Sequence, residues 1–359
     1  MELPTYFDDF RIKTQPTERQ RKVMSEEHIK LRELLAKAPE LKDVLLGTFI
    51  QGSQRRATSL IGSAAHPCDV DVVAVTNLPR SRFTAAYAHK LFQPFLERHY
   101  SGKFKAQDRS WCITVDPEVS LDLVPTSEPD SPQVREAVRS TKALRDWSPT
   151  FQTLTEAVKA EARDTADWDR TEPLWIPDRT LQIWERTHPL YLIAWTAKKN
   201  QACNGHFTHA VKAVKWWKRE IQPNPKYPKG YPLEHLVGDT CPDAIKSVAE
   251  GLTRTLESIA ANYRGHAARH ETPFLQTRGI SESQNVMKRV EGTDFAAFHA
   301  NIESAARLAR RALDAQDIHE SASAWRQLLG PEFPAPPSVV TGGYTPREKP
   351  TQLSEGRYA

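Results

Sequence analysis

Three aspartates in the first part of the chain are the side chains whose spacing best predicts chemistry. Asp69 and Asp71 are separated by one valine, and Asp122 lies between two leucines. Successive side chains of a β-strand point to opposite faces, so Asp69 and Asp71 share one face while their valine neighbours enter the core. Two carboxylates so placed repel each other unless a cation lies between them, and their oxygens suit a hard divalent cation. With Asp122 as a third ligand from a neighbouring strand, the pattern predicts a site for two Mg²⁺ ions, which Mn²⁺ could replace.

A Gly-Ser pair precedes the aspartates in the chain. Gly52 permits close backbone approach, and Ser53 can begin a helix whose N–H groups and hydroxyl face the β- and γ-phosphates of a nucleotide. Arg55 and Arg56 follow on the first helical turn, where a guanidinium could neutralise phosphate charge or simply be solvated; Arg56 is the candidate ligand. An isolated Gly-Ser or Asp-Val-Asp is common. In this order and with apolar flanks, the set predicts a nucleoside triphosphate site and nucleotidyl transfer.

The apolar residues around these side chains predict the elements that position them. The pattern indicates strands near residues 46–51, 69–76, 110–115 and 119–125. A long helix is expected at 17–37, and a helix near 84–99 should be kinked by Pro94. From about residue 150 the periodicity becomes mostly helical, with a Trp- and Pro-bearing stretch at 168–189 and then helices at 189–200, 208–221, 242–263 and 293–316. The chemistry is therefore expected on a sheet that precedes a helical region.

The composition is that of a globular enzyme with a mildly basic charge. The 359 residues carry a formal net charge of +4 and a pI of about 8.8, which suits polyphosphate substrates. The sequence contains no Arg-rich block, so no nucleic-acid partner is expected. It has neither a signal-peptide pattern nor a long apolar run, which predicts a cytoplasmic protein with no membrane partner. Its four cysteines are expected to be reduced thiols.

A second metal site, for zinc, could be formed by Cys203, His206, His209 and Cys241. The spacing does not match clustered zinc ligands, and Cys241 lies in a stretch that predicts a loop before a helix. These residues are expected in the core or at the surface rather than around zinc.

The segments that carry the aspartates and the Gly-Ser pair resemble the DNA polymerase β-type nucleotidyltransferase superfamily: TFIQGSQRRATSL (48–60), CDVDVVAVT (68–76) and VSLDLVPT (119–126). Later segments resemble the CD-NTase family of bacterial anti-phage CBASS systems, relatives of animal cyclic GMP-AMP synthase and oligoadenylate synthase: HPLYLIAWTAKKN (188–200), FTHAVKAVKWWKRE (207–220), KGYPLEHLVGDTCPD (229–243), DFAAFHANIESAARLARRALDA (294–315) and AWRQLLGPEFP (324–334). The chain departs from the family in a somewhat long connection, 15 residues, between Ser53 and Asp69.

The resemblance implies an α+β fold, a bilobed cage with an N-terminal mixed β-sheet catalytic lobe and a C-terminal helical lobe. We expect the catalytic lobe at residues 1–150, including the long N-terminal helix, and the helical substrate-binding lobe at 151–333. Residues 334–359, rich in Pro, Gly and polar side chains, are expected to form a flexible tail. In some CBASS systems a ubiquitin-transfer-like partner joins such a C-terminus to another molecule; the alternative is a terminus without a function.

Two residues of the helical region gain a role from the resemblance. Lys215 in VKAVKWWK corresponds to the family lysine that reaches back to the donor triphosphate; the alternative is a solvated helix lysine. Tyr231 in KGYPLEHL resembles the family tyrosine that stacks on a nucleobase, and a core tyrosine is the alternative. Gly230 replaces a phosphate-binding serine of the animal enzyme, so no phosphate contact is expected from its side chain.

The resemblance implies that the protein makes a cyclic di- or trinucleotide second messenger from NTPs, including ATP or GTP. The messenger would act on a downstream effector in anti-phage defence. A nucleotidyltransferase with linear products or protein substrates is one alternative, which the helical-lobe segments disfavour. A catalytically inactive nucleotide-binding module is another, which the intact aspartates disfavour. The bases, the linkage and the ring size are left open by the sequence.

Overall fold

A computed structural model describes residues 1–131 and 173–336. The expected lobe boundary near residue 150 and nearly all of the expected tail lie outside these described residues. In the described part of the chain, none of the helices combines the length and the apolar character needed to cross a membrane.

A five-stranded mixed sheet forms the first half of the described structure. Its strands are β1 (Leu45–Gln51), β2 (Cys68–Thr76), β3 (Phe104–Ala106), β4 (Trp111–Asp116) and β5 (Val119–Pro125). They are arranged in the order β1-β2-β5-β4-β3, and β2 runs parallel to β5 while the other neighbours are antiparallel. The four strands expected from the sequence are confirmed to within a residue at each end. Strand β3 was not expected, because its three residues are too few to show an alternating apolar pattern.

The sheet packs one face against helices. Helix α2 (Glu18–Lys37) begins with a capping box between Thr17 and Gln20, as its sequence pattern favours. Its apolar stripe, with Leu31 and Leu35, joins a core that contains Val70 and Val72 of β2. The expected kinked helix is two helices, α4 (Ala85–Leu91) and α5 (Gln93–Tyr100), because Pro94 in the first turn of α5 has no N–H to continue the preceding helix.

Most of the remaining helices build a second core. The remaining helices are α1 (Pro4–Thr14), the single turn α3 (Gly52–Arg55), α6 (Pro189–Ala202), α7 (Phe207–Trp216), α8 (Gly230–Thr240), α9 (Val248–Asn262), α10 (Arg264–Ala268), α11 (Gly292–Asp314) and α12 (Ile318–Leu329). Of these, α3 contacts β1 and β2 instead, and α10 has no buried residue. Helix α7 continues into a π-helical turn at Trp217–Ile221. Helix α1 belongs to this core rather than to the sheet, since Phe7 packs edge-on against Trp325 at 5.0 Å and Phe333 at 5.1 Å.

The Trp- and Pro-bearing stretch forms a β-hairpin. The sequence analysis predicted neither a helix nor a strand for it. Strands β6 (Leu174–Asp178) and β7 (Ile183–Thr187) are rich in aromatic and β-branched residues and pair antiparallel. The carboxylate of Asp178 accepts a hydrogen bond from the Leu181 backbone N–H at 2.9 Å, which closes the turn. The hairpin lies beside the sheet, where Leu174 and Ile176 pack with Val73 of β2.

Candidate active site

The three aspartates meet on one face of the sheet. In the parallel pairing of β2 with β5, Asp71 stands opposite Asp122, and Asp69 stands opposite Ser120 on the same face as Asp71. Carboxylate oxygens of the three residues lie within 4.8 Å of one another. Within residues 1–131 and 173–336 this is the sole group of three or more His, Cys, Asp or Glu side chains close enough to hold a metal ion. The three aspartates that the sequence pattern grouped into one site are therefore adjacent in the structure.

The electrostatics of this triad favour a bound cation. Burial, followed by the charges of Asp69 and Asp122, raises the pKa of Asp71 well above its usual value. Burial and the Asp69 charge raise the pKa of Asp122 to about 7, and its Oδ1 is buried without a hydrogen-bond partner. Burial also raises the pKa of Asp69, although nearby Lys215 offsets part of the increase. Three carboxylates that each offer an oxygen, one of them the unpartnered Oδ1 of Asp122, fit a hard divalent metal ion, and the triad could bind one.

Gly52 is required by its contact with the triad. Its φ is +83°, and a Cβ added there would lie 1.7 Å from Oδ2 of Asp71. Any side chain at this position would adopt an unfavourable backbone conformation and would have to displace the Asp71 carboxylate. The helix expected to begin at Ser53 is only the single turn α3, which is closed by hydrogen bonds from Arg56 N to Gly52 O at 3.1 Å and from Thr58 N to Ser53 O at 2.9 Å.

Arg56 and Lys215 come from distant parts of the chain to the same buried carboxylate. Arg56 Nε donates to Glu234 Oε2 at 2.9 Å, and Lys215 Nζ donates to Glu234 Oε1 at 2.7 Å. Lys215 Nζ also donates to the backbone oxygen of Thr58 at 2.9 Å. The Lys215 side chain is only 13% exposed, so it does not behave as a solvated helix lysine. Both candidate phosphate ligands therefore lie at the acidic triad.

Tyr231 lies in the first turn of α8 and lines a pocket next to the two cations. The walls of this pocket include Arg56, Tyr231, Trp195, His235 and Arg278. The Tyr231 ring meets the His235 ring edge-on with centroids 4.7 Å apart, and burial raises the pKa of the Tyr231 hydroxyl. A Cβ at neighbouring Gly230 would lie 3.7 Å from Lys215 Cε, so this turn of α8 faces the cleft.

Sequence reasoning missed Glu234 and Arg278. Glu234 lies one helical turn after Tyr231 in an otherwise apolar stretch, and a charged residue in that place is a signal that could have been used. Arg278 lies over the Trp195 ring at 4.0 Å and donates to the backbone oxygen of His235 at 3.0 Å. It comes from an irregular segment, where periodicity gives no signal.

The cysteines are core residues, as expected. Cys203 and Cys241 are buried at 0% and 2% exposure. The close approach of their thiols raises the pKa of Cys203 and lowers that of Cys241 to about 7. Neither belongs to a group of metal-ligating side chains among the residues that the structure describes.

Comparison with known proteins relates this site to one class of enzyme. Residues 1–151 match the model of the Second Messenger Oligonucleotide or Dinucleotide Synthetase domain. A cyclic AMP-AMP-GMP synthase of Enterobacter hormaechei is 38% identical over an alignment of 384 residues that covers all of both chains. A cyclic AMP-AMP-AMP synthase of an Acinetobacter strain is 27% identical, and the alignment covers 86% of this chain and 79% of that protein.

Solved structures share the fold at low sequence identity. The CD-NTase CdnG of Bradyrhizobium diazoefficiens, in complex with GTP, has a TM-score of 0.66 at 12% identity and covers 90% of this chain and 94% of its own. The cyclic AMP-GMP synthase DncV of Vibrio cholerae, in complex with nonhydrolysable GTP, has a TM-score of 0.61 at 11% identity. The match covers 93% of this chain and 97% of that chain. A CdnC of Escherichia coli in complex with a HORMA protein has a TM-score of 0.59 at 14% identity. The match covers 93% of this chain and 99% of that chain.

Proposed function

The chain belongs to the CD-NTase family and is a nucleotidyltransferase that makes a cyclic oligonucleotide, and from this premise we propose that its product is a cyclic trinucleotide of two adenosines and one guanosine. The choice of bases is supported by the relative that is 38% identical over its whole length. The substrates are then ATP and GTP, and the product acts on a downstream effector in anti-phage defence.

The observation that carries the chemistry is the meeting of Asp69, Asp71 and Asp122 within 4.8 Å. We propose that these carboxylates hold two Mg²⁺ ions. Bound there, the ions supply positive charge that acidifies the attacking hydroxyl and stabilises the pyrophosphate leaving group. In each step the oxygen of a 2′- or 3′-hydroxyl forms a bond to the α-phosphorus of an NTP. The bond from that phosphorus to the oxygen bridging the α- and β-phosphates breaks, so pyrophosphate leaves. The hydroxyl proton passes to solvent.

The other site residues position the substrates for this attack. Lys215 and Arg56 bind the donor triphosphate, which is supported by their burial beside Asp69 and Asp71. Gly52 and Ser53 form the turn over which the phosphates pass, and Tyr231 lies against a nucleobase in its pocket. Since little covalent chemistry falls to the protein, its contribution is positioning and charge stabilisation.

The test is product identification from purified protein with Mg²⁺ and all four NTPs, followed by incubations that each omit one NTP. The proposal expects a phosphatase-resistant product whose mass is that of a cyclic AMP-AMP-GMP, and its loss when ATP or GTP is omitted. A phosphatase-sensitive oligonucleotide would favour a linear-product enzyme. Bound nucleotide without any product would favour an inactive binding module.

A further inference from the structure

Glu234 is a buried carboxylate to which the proposed reaction gives no role. It lies on α8 with its side chain 11% exposed and stands between Arg56, also 11% exposed, and Lys215, which is 13% exposed. One oxygen, Oε2, accepts from Arg56, and the other, Oε1, accepts from Lys215 and from the Thr58 hydroxyl at 3.0 Å. A single side chain of the helical region therefore joins the segment after β1 to helix α7.

Both cations keep donors beyond those that Glu234 uses. Arg56 pairs through Nε, and its two terminal nitrogens make no hydrogen bond to any of residues 1–131 or 173–336. Its charge acts on Asp71, while the charge of Lys215 acts on Asp69. Both cations thus act on the triad, beside which the proposed function puts the donor triphosphate.

We infer that Glu234 is a positioning residue that holds Arg56 and Lys215 in the geometry in which they bind the donor triphosphate. The inference rests on the proposed role of these two cations. Glu234 touches no reacting atom; it fixes two flexible side chains in advance, so that less side-chain entropy is lost when the nucleotide binds.

The opposite role would be that Glu234 occupies the phosphate position and is displaced by the nucleotide. Two features favour the positioning role. Burial opposes ionisation, yet the charges of Arg56 and Lys215 lower the pKa of Glu234 to about 2, so the carboxylate is ionised at neutral pH. Displacing it from both cations and from Thr58 would leave a buried charge without partners, which is costly.

The two roles predict opposite results for Glu234→Gln, which keeps the shape of the side chain and removes its charge. Electrostatics alone would favour an anion near Arg56 and Lys215 once the negative charge is gone. Positioning predicts the reverse, that the Kd for ATP and a nonhydrolysable ATP analogue rises about tenfold, the change expected from losing one charged hydrogen bond. The Kd for AMP, which lacks the β- and γ-phosphates, should not change.

The matched control is Glu257→Gln. Glu257 also holds an arginine through two oxygens, with both distances to Arg310 at 2.7 Å, but it joins α9 to α11 away from the pocket. This variant should bind ATP and AMP as the unaltered protein does. Unchanged or tighter ATP binding by a folded Glu234→Gln variant, or an equal loss for ATP and AMP, would overturn the inference.

Two further variants keep the test decisive. If Glu234→Gln fails to fold, Thr58→Val removes one hydrogen bond to the same carboxylate and should weaken ATP binding about threefold with AMP binding unaltered; no such difference would also overturn the inference. Lys215→Ala tests the proposed function itself. If Lys215→Ala binds ATP normally, the proposed phosphate role fails; if only Lys215→Ala weakens binding, the role of Lys215 stands and that of Glu234 fails.

Discussion

At the residue scale, the site is defined by negative charge that the protein does not neutralise. Asp71 and Asp122 are half-buried next to each other on paired strands, and their pKa values are raised by burial and by repulsion within the triad. The nearby cations, Arg56 and Lys215, already share Glu234. A folded protein holds such an arrangement at a cost in stability, which is typical of a site that binds a cation for function.

The raised pKa values predict a pH dependence of metal binding. The pKa of Asp122 in the folded chain is about 7, above the unfolded value of about 4, so the metal-free folded state binds protons more tightly than the unfolded state. The free energy of unfolding of the metal-free protein should therefore fall as the pH rises from about 4 to about 7. Because Mg²⁺ binds the ionised carboxylates, it should raise Tm more at about pH 8 than at about pH 6.

Thermal unfolding with and without Mg²⁺ at both pH values measures this effect. The Asp69→Asn, Asp71→Asn double variant is the control, since neutral amides hold the ions poorly and its Tm should respond little to Mg²⁺ at either pH. An equal rise in Tm for the control and for the unaltered protein would place the metal elsewhere.

At the element scale, the strands and the loop after β1 could be read from the sequence because their signals are local. Alternating valines around Asp69 and Asp71 fix the face of β2, and Gly52 marks the turn. The roles of Glu234 and Arg278 could not be read in this way. Each role depends on residues far away in the chain; Arg56 and Glu234, for example, are 178 residues apart. A contact between such distant residues produces no periodic pattern in the sequence.

The turn after β1 can be tested through two glycines with similar backbones. Gly52 and Gly102 have φ values of +83° and +72°, but a Cβ at Gly102 would meet nothing within 4 Å. Each substitution by alanine should cost about 1 kcal/mol of stability from backbone strain. Gly52→Ala must also push the Asp71 carboxylate aside and should reduce product formation at least about 100-fold, the scale of loss expected when a site residue moves by about 1 Å.

Melting temperature and product yield of both variants distinguish the two effects. Gly102→Ala should remain active at a slightly lower Tm. An active Gly52→Ala would show that the position of Asp71 in this turn is not needed for the reaction.

At the scale of the whole molecule, a network of ion pairs joins the sheet to the later segments through the β6–β7 hairpin. Asp178, at 0% exposure, accepts from Arg109 of the β3–β4 connection at 3.3 Å and from Arg289 at 2.5 Å. Glu185 of β7 pairs with the same Arg109 at 2.5 Å and with Lys288. The hairpin, which the sequence analysis did not predict, thus connects the β3–β4 segment of the sheet to Lys288 and Arg289.

Removing the central carboxylate should weaken the whole fold. Asp178→Ala leaves two arginines without their shared partner, and we expect a loss of about 3 kcal/mol in the free energy of unfolding. Glu282→Ala breaks an ion pair with Arg186 whose carboxylate is 55% exposed, and should cost less than about 1 kcal/mol. Denaturant unfolding of both variants measures the difference; equal losses would argue against the network as a link between the halves.

The central claim is that the half-buried triad holds the metals for nucleotidyl transfer. The most direct measurement compares the phosphatase-resistant product made from ATP and GTP by the unaltered protein and by the Asp69→Asn, Asp71→Asn double variant, with Tm recorded for both. We predict a Tm that is not reduced when both are measured without Mg²⁺, since a source of repulsion is removed, and a loss of product of at least about 10³-fold in its presence. Turnover retained by a folded double variant would contradict it.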